Sequence, residues 1–324
     1  MSAPADGSAA NWAADRERSN LWVLRLMRWI AIGAGRRAAR LLLHPITLYF
    51  LLANAKARRA SRQYLARALG RPARAANVYR HIHRFASTIL DRVYLLQERF
   101  DAFDVTATGA AAVHASLDRG QGVMLVGAHF GSFEALRASG WVRGAPVAML
   151  MHADNARLIN ATLAAVAPNA QLHTIALGRP GAMLALRQWL DDGGLAGLLA
   201  DRTLPAAAER GDRSRTHVIE FLGQPARFSD GPFRLAALLR RKVVFMAGLH
   251  DGGNRYDLRF VELADFSVGG DAGGAAGSGT DQRVLDALHR YVALLETLCR
   301  ESPYNWFNFY DFWATDAAAD AAPH

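Results

Sequence analysis

The sequence has 324 residues, of which 51% are hydrophobic and 21% are charged, and its mean hydropathy is +0.01. This length suffices for one large globular domain with a substantial core or for two small ones. A single cysteine, Cys299, excludes an intramolecular disulfide framework and a metal site built from several cysteines. Its position in an apolar helical stretch predicts a buried, inert thiol, and the low cysteine content fits a reducing, cytoplasmic environment.

Positive charge is concentrated near the N terminus. The formal net charge is +9, and residues 18–90 contain 15 Lys or Arg and no Asp or Glu. The rest of the chain has 23 basic and 29 acidic residues, so it is net acidic. A basic segment of this kind binds an anionic surface, either nucleic acid or a phospholipid leaflet.

The apolar content of the same segment favours a membrane over nucleic acid. Trp22 and Trp29 alternate with Arg25 and Arg28, and “LLLHPITLYFLL” follows. A spanning helix needs about 20 predominantly apolar residues, and arginines interrupt every such window here. We therefore predict a monotopic helix in the headgroup region of the cytoplasmic face. The alternative is a basic helix packed on the domain; a signal peptide is not expected.

These patterns divide the chain into four segments. The predicted order is a disordered N terminus at 1–19, a basic helical membrane-anchor segment at 20–100, an α/β catalytic domain at 101–314 and a disordered tail at 315–324. A long helix in the second segment carries His81 and His83. Two residues apart on a helix, they point in different directions, which favours a surface or phosphate-proximal role over a metal pair.

From residue 120, short apolar runs alternate with helical stretches. The predicted strands are “GVMLVGAH”, “PVAMLMH”, “LHTIAL”, “GLAGLLAD”, “HVIEFLG”, “PARF”, “KVVFMAGLH” and “RYDLRFVEL”. The predicted helices are “SFEALRASGW”, “ARLINATLAAVA”, “AMLALRQWLDDG”, “DGPFRLAALLRR” and “DQRVLDALHRYVALLETLCRE”. This alternation predicts an α/β fold with a mainly parallel central sheet and helices on both faces. The Gly-rich residues 267–280 predict a flexible loop.

His129 ends the predicted strand “GVMLVGAH”, at the edge of a parallel sheet where sites are built. Glu134 follows in the first turn of a helix that Ser132 would cap, and Gly127 and Gly131 let the chain bend between them. A carboxylate bound to one imidazole nitrogen fixes the tautomer and makes the other nitrogen a better base. Without a G-x-S-x-G nucleophile motif, such a dyad would act directly on a substrate hydroxyl. The alternative is a strand-end histidine near an unrelated glutamate.

Two further stretches carry polar residues at the ends of predicted elements. Asp201 and Arg202 end the strand “GLAGLLAD” on the same predicted edge as the histidine, and a structural salt bridge is the alternative there. In “FSDGPFRLA”, Asp230 would cap a helix, Gly231 would permit the turn and Pro232 would start the helix. The functional interpretation of that helix N terminus is proximity to a thioester or a phosphate.

The motifs “HFGSFE”, “ADR”, “FLGQPARFSDGP” and “NWFNFYDFW” occur in this order. Together they resemble the lipid A late acyltransferases, the lauroyl and myristoyl transferases of the lysophospholipid acyltransferase superfamily, over about residues 20–313. The resemblance implies that His129 deprotonates an acceptor hydroxyl and that Glu134 orients the imidazole ring of His129. The hydroxyl then attacks the thioester of an acyl carrier protein, or less favourably of coenzyme A, and no metal or organic cofactor takes part.

The resemblance also implies a substrate-binding role for Arg202, near the phosphate of the acceptor or the oxyanion. Four further residues are candidates for substrate binding. Two lie directly after the histidine, Gly131 and Ser132, and two lie in the stretch “FSDGPFRLA”, Ser229 and Gly231. They would contribute backbone N–H groups to the oxyanion or a helix N terminus to the thioester. The aromatic run “YNWFNFYDFW” is typical of core or membrane-interface packing and would at most border an acyl groove.

These inferences predict an O-acyltransferase on the cytoplasmic face of a bacterial inner membrane, peripheral or monotopic. Its acceptor would be a membrane glycolipid or a lipid A-like molecule. The expected partners are an acyl-acyl carrier protein or acyl-CoA donor, the membrane lipid acceptor and an anionic phospholipid surface, and not nucleic acid. Two alternatives stay open: a thioesterase or lipase that uses the dyad on water, and a non-catalytic membrane-binding protein that acts through its basic segment.

Overall fold

The computed structural model describes residue 33 and residues 35–138, 144–152, 173–202, 216–268 and 276–313. The helices are α1 (Gly35–Ala53), α2 (Ala55–Leu69), α3 (Ala75–Leu96), α4 (Ala111–Leu117), α5 (Ala135–Ala138), α6 (Ala182–Asp191), α7 (Gly231–Leu238) and α8 (Ala276–Glu301). The strands are β1 (Asp104–Thr108), β2 (Met124–Gly127), β3 (Val147–His152), β4 (His173–Leu177), β5 (Leu195–Leu199), β6 (Thr216–Phe221), β7 (Gln224–Ser229), β8 (Lys242–Gly252) and β9 (Arg255–Asp265). The predicted tails and the predicted helix “ARLINATLAAVA” lie outside these residues.

A seven-stranded sheet has the order β1-β9-β8-β2-β5-β3-β4. In this described sheet every neighbouring pair is parallel except β8 and β9, so the predicted mainly parallel sheet is confirmed. The sequence reveals β2 and β5 as continuous apolar runs because parallel strands are covered on both faces. The β6 and β7 strands form a separate antiparallel hairpin.

Alternate residues of the central strands enter two cores on opposite faces of the sheet. Met124 and Val126 belong to one core, together with residues of α2, α3, α6, α7 and α8. Leu125 belongs to the other, together with residues of α4 and α5. The prediction of helices on both faces is therefore confirmed. Because α2 and α3 share a core with the sheet, much of the basic segment at 20–100 is built into the domain.

Helix α1 has one face against the protein and one apolar face exposed. Ala39 and Leu43 are buried in a cluster with side chains of α3, and Arg36 forms two hydrogen bonds of 2.8 and 2.9 Å with the buried Asp91 of that helix. The exposed side of the helix carries Leu41, Leu42, Leu48, Tyr49 and Leu52. Within the described part of the chain no single helix has the length and apolarity to cross a bilayer, whereas α1 and α2 qualify together as a pair bent by 96°.

The secondary structure differs from the sequence predictions near residues 104–117 and at the start of α8. Neither β1 nor α4 was predicted, because β1 is a half-exposed edge strand of five residues without an apolar run and α4 has only seven residues. The predicted flexible loop at 267–280 was wrong for its last part, since α8 begins at Ala276. Extending an existing helix by a few residues costs far less than starting one, which allows Gly-rich residues to join it.

Gly131 lies where the chain passes closely over β8 after leaving β2. Its φ is +66°, and it forms a bridge with Gly248. A Cβ atom at this position would collide with the carbonyl oxygen of Gly248, which also accepts a 2.8 Å hydrogen bond from the N–H of Ser132. Both the backbone conformation and the contact therefore require glycine here.

We expect Gly131→Ala to lower the free energy of unfolding by about 2–4 kcal/mol, from left-handed strain plus displacement of β8. Gly70→Ala is the matched control, because Gly70 has a φ of +63° and no atom near the added Cβ. Its loss should be only about 1 kcal/mol. Denaturant unfolding measures both values, and equal losses would contradict the contact argument.

Candidate active site

The parallel register of β2 and β5 brings His129 and Asp201 together. Gly127 pairs with Leu199 in that register, and each of the two polar residues follows its strand by two positions. The His129 Nδ1 atom lies 2.9 Å from Asp201 Oδ1, and the backbone N–H of His129 donates a 3.0 Å hydrogen bond to Oδ2. The prediction that both residues lie on one edge of the sheet is confirmed.

Asp201 is almost fully buried and accepts a further hydrogen bond. The indole Nε1–H of Trp306 donates to its Oδ2 over 2.9 Å. Burial by itself raises the pKa of a carboxyl group, but the electrostatic interaction with His129 and the hydrogen bonds from His129 and Trp306 outweigh it, so the pKa of Asp201 lies below its ordinary value. The group is therefore an ionised carboxylate at neutral pH.

An ionised carboxylate only accepts hydrogen bonds, so the Nδ1 atom of His129 carries the proton toward Asp201. The second ring nitrogen, Nε2, then holds a free lone pair, and it forms no hydrogen bond with the described residues. The imidazole side chain is 32% exposed. This geometry leaves Nε2 accessible for accepting a proton from a bound hydroxyl or from water.

Glu134 does not orient His129 in the structure, which corrects the predicted dyad. Its carboxylate accepts a 3.0 Å hydrogen bond from the hydroxyl of Ser132 and forms a 2.7 Å ion pair with Nε of Arg92 on α3. Among the described residues, no hydrogen bond or ion pair joins Glu134 to His129. Arg92 on α3 pairs with the Glu134 carboxylate, which its nearness in sequence had suggested as the partner of His129.

Backbone N–H groups beside His129 are already engaged, which corrects their predicted role as oxyanion donors. The N–H of Gly131 donates to the carbonyl of Asn305 over 2.8 Å, and that of Ser132 donates to Gly248. The side chain of Ser132 is fully buried. Gly131 and Ser132 therefore hold the turn after β2 in place, and their N–H groups do not point at a substrate.

The polar groups of the turn between β7 and α7 are likewise hydrogen-bonded within the protein. The N–H of Gly231 donates to the hydroxyl of Ser229 over 3.2 Å. Pro232 lies in the first turn of α7 as predicted, but the buried Asp230 makes no side-chain cap, and its Oδ2 accepts from His217 and Arg234 instead. No hydrogen bond, ion pair or ring contact between described residues connects this turn to His129.

Arg202 follows Asp201 directly and is exposed at the same edge. Its guanidinium carbon lies 5.2 Å from the ring centre of Tyr310, in a cation–π arrangement. The structural salt bridge with Asp201, one of the two interpretations of this pair, is not among the ion pairs of the described residues, where Asp201 pairs with His129. Arg202 thus borders the site without contacting its histidine.

Two buried residues that the sequence did not assign to the active site support it. Tyr291 on α8 donates a 3.0 Å hydrogen bond to the carbonyl of Gly127, where β2 ends. His81 on α3 lies 2.7 Å from the carbonyl of Trp306 and 2.8 Å from the hydroxyl of Ser61. Burial lowers the pKa of His81 and outweighs the hydrogen bond to Trp306, which raises it. The resulting pKa is about 4, so this ring is neutral at neutral pH. The predicted surface position of His81 was therefore wrong, because the ring is fully buried.

Comparison with known proteins adds little to this geometry. No protein-family model matches the chain, and neither does any curated protein. Among solved structures, the chain is similar to the 1-acyl-sn-glycerophosphate (LPA) acyltransferase PlsC from Thermotoga maritima, with 12% identity over 79% of this chain and 97% of that chain and a TM-score of 0.31. A similarity of this size carries no functional argument, so the α/β fold is established here by the strand order and pairing of the chain itself.

Proposed function

We propose that this protein is an O-acyltransferase that moves a fatty acyl chain from an acyl carrier protein thioester to a hydroxyl of a membrane lipid. The observation that carries the proposal is the contact between His129 and the buried, ionised Asp201, with the opposite ring nitrogen accessible. The resemblance of “HFGSFE” and the later motifs to lipid A late acyltransferases supplies the acyl donor and a glycolipid or lipid A-like acceptor. The dyad of the proposal is His129–Asp201, in place of His129–Glu134.

The proposed reaction needs one proton acceptor and no protein nucleophile. Nε2 of His129 takes the proton of the acceptor hydroxyl while the oxygen attacks the carbonyl carbon of the thioester. The C–S bond then breaks, and the imidazolium returns the proton to the leaving sulfur. Asp201 stays ionised throughout, holds Nδ1–H in place and stabilises the positive charge on the ring.

The exposed face of α1 supports a lipid acceptor held at a membrane. Leu41 is 70% exposed and Leu52 is 69% exposed, and no Lys, Arg, Asp or Glu lies between residues 41 and 55. Contiguous apolar surface of this kind marks a membrane or protein interaction site. We propose that this face lies in the headgroup region of the cytoplasmic leaflet of a bacterial inner membrane, with arginines nearby to meet anionic lipid.

The dyad predicts a specific order of activity losses. We expect His129→Ala and Asp201→Asn to reduce acyl transfer by roughly 10²–10⁴-fold. Since Oδ2 of Asp201 accepts two N–H groups, the amide oxygen of the asparagine must take that place, and its NH₂ then faces Nδ1. The histidine is forced into the tautomer whose Nε2 carries the proton, and it is no longer a base.

Glu134→Gln is the matched control for Asp201→Asn, and we expect it to lose less than about tenfold because its contacts are with Arg92 and Ser132. The assay supplies acyl chains labelled on an acyl carrier protein to membranes and follows the label by mass spectrometry of the lipids. Large loss in Glu134→Gln with near-normal transfer by Asp201→Asn would overturn the proposed dyad. Label released as free fatty acid would identify a hydrolase instead.

Membrane association gives a separate prediction for α1. We expect the pair Leu48→Gln and Leu52→Gln to weaken sedimentation with phospholipid vesicles by on the order of 10³-fold, since burying each leucine contributes about 2 kcal/mol. The control pair is Leu184→Gln and Leu238→Gln, two leucines on other helices that are at least as exposed as Leu48 and Leu52. Both pairs should leave the melting temperature unchanged. If the control pair weakens sedimentation as much, α1 is not the membrane surface.

A further inference from the structure

A cavity of about 310 Å³ opens between α1, α3 and the turn from β8 to β9. Its volume is at the lower end of the range for small-molecule sites. Nine residues line it: Arg40, Tyr79, Arg80, His83, Arg84, Ser87, His250, Gly252 and Tyr304. Four of the five α3 residues in this lining have the spacing i, i+3, i+4 and i+7 from residue 80, so one face of that helix forms most of the wall.

The cavity is strongly cationic. Three guanidinium groups line it, from Arg40, Arg80 and Arg84, and no Asp or Glu is among its lining residues within the described chain. Arg84 is fixed by a 2.7 Å hydrogen bond to the carbonyl of His250. Burial and then the charges of His44, Arg40 and Arg84 lower the pKa of His83. The carboxylates that act on these arginines lie outside the lining: Asp91 is 4.0 Å from Arg40, and Asp251 interacts with Arg84.

Two buried polar atoms at the cavity have no hydrogen-bond partner among the described residues. They are the hydroxyl oxygen of Ser87, whose residue is 1% exposed, and Nε2 of His83. Buried polar groups are nearly always satisfied, and an unsatisfied one costs about 1–3 kcal/mol. Both residues lie on the same face of α3 as Arg80 and Arg84. Binding of a ligand with acceptor oxygens would satisfy the Ser87 hydroxyl and match the positive charge of the cavity.

We propose that this cavity binds a phosphate group, with Arg80, Arg84 and Ser87 as its donors. A phosphate presents several acceptor oxygens and the negative charge that guanidinium groups bind best. The cavity also has room for the polar group attached to the phosphate. Arg40 lines the cavity from α1, and the neighbouring Leu41 begins the exposed apolar face, so a phospholipid headgroup is the source we favour over a soluble phosphate ester.

The phosphate site is separate from the dyad but joined to it by one segment. Tyr304 lines the cavity, the carbonyl of Asn305 accepts from Gly131, and the N–H of Phe307 donates a 2.7 Å hydrogen bond to the carbonyl of His129. Phosphate binding is measured directly, so its outcome is independent of whether the protein transfers acyl chains.

The test is equilibrium dialysis of the full chain with radiolabelled inorganic phosphate at constant ionic strength. We expect saturable binding that Ser87→Ala and Arg80→Gln each weaken by about tenfold or more, because each removes a donor to a charged ligand. Ser87→Ala changes no charge and breaks no existing hydrogen bond, so the folded protein is retained. Arg62→Gln, on the exposed side of α2, is the control that removes the same charge outside the cavity.

Competition distinguishes the two sources of phosphate. Vesicles of phosphatidylcholine with phosphatidic acid should displace the labelled phosphate, whereas phosphatidylcholine alone should not, if the ligand is a lipid headgroup. Displacement by glycerol phosphate but not by these vesicles would support the same cavity with a soluble ligand. Absence of saturable binding, or equal weakening by Arg62→Gln and Ser87→Ala, would overturn the proposal.

Discussion

A carboxylate removed from water costs several kcal/mol unless it is paired and hydrogen-bonded. Asp201 meets this requirement with three donors: the ring and the backbone N–H of His129, and the indole of Trp306. The donors come from the end of β2 and from the segment after α8, while the carboxylate follows β5. Placing this one charge therefore fixes three separate parts of the chain at the edge of the sheet.

The turn after β2 is shaped by the same requirement. Two residues after His129, which directs both of its N–H groups at Asp201, the chain crosses β8 closely, and a Cβ atom at position 131 would collide with Gly248. The N–H groups of Gly131 and Ser132 donate hydrogen bonds to Asn305 and Gly248, and these bonds hold the chain in place over β8. The two N–H groups that fix the turn beside His129 are therefore not free to bind an oxyanion.

The sequence predicted the strands well, because continuous apolar runs are what buried parallel strands require. It also contained the dyad: “GVMLVGAH” and “GLAGLLAD” have equal length and end on His129 and Asp201. Pairing them requires the strand order, in which β5 and not β3 lies beside β2, and chain order does not give it. Glu134 was favoured because it is near in sequence. Trp306 lies in an aromatic run that is indistinguishable from core packing until its indole donor is located.

Helix α3 connects features that are far apart in the sequence. Its Asp91 holds α1 through Arg36, its His81 supports the carbonyl of Trp306, and its Arg92 engages Glu134. The face of α3 that carries Arg80, His83, Arg84 and Ser87 forms a wall of the cationic cavity. A lipid surface that fixes α1 would thus also fix the helix that supports the indole donor of Asp201. In the proposed function, membrane contact and the hydrogen-bond geometry of His129 would then depend on the same helix.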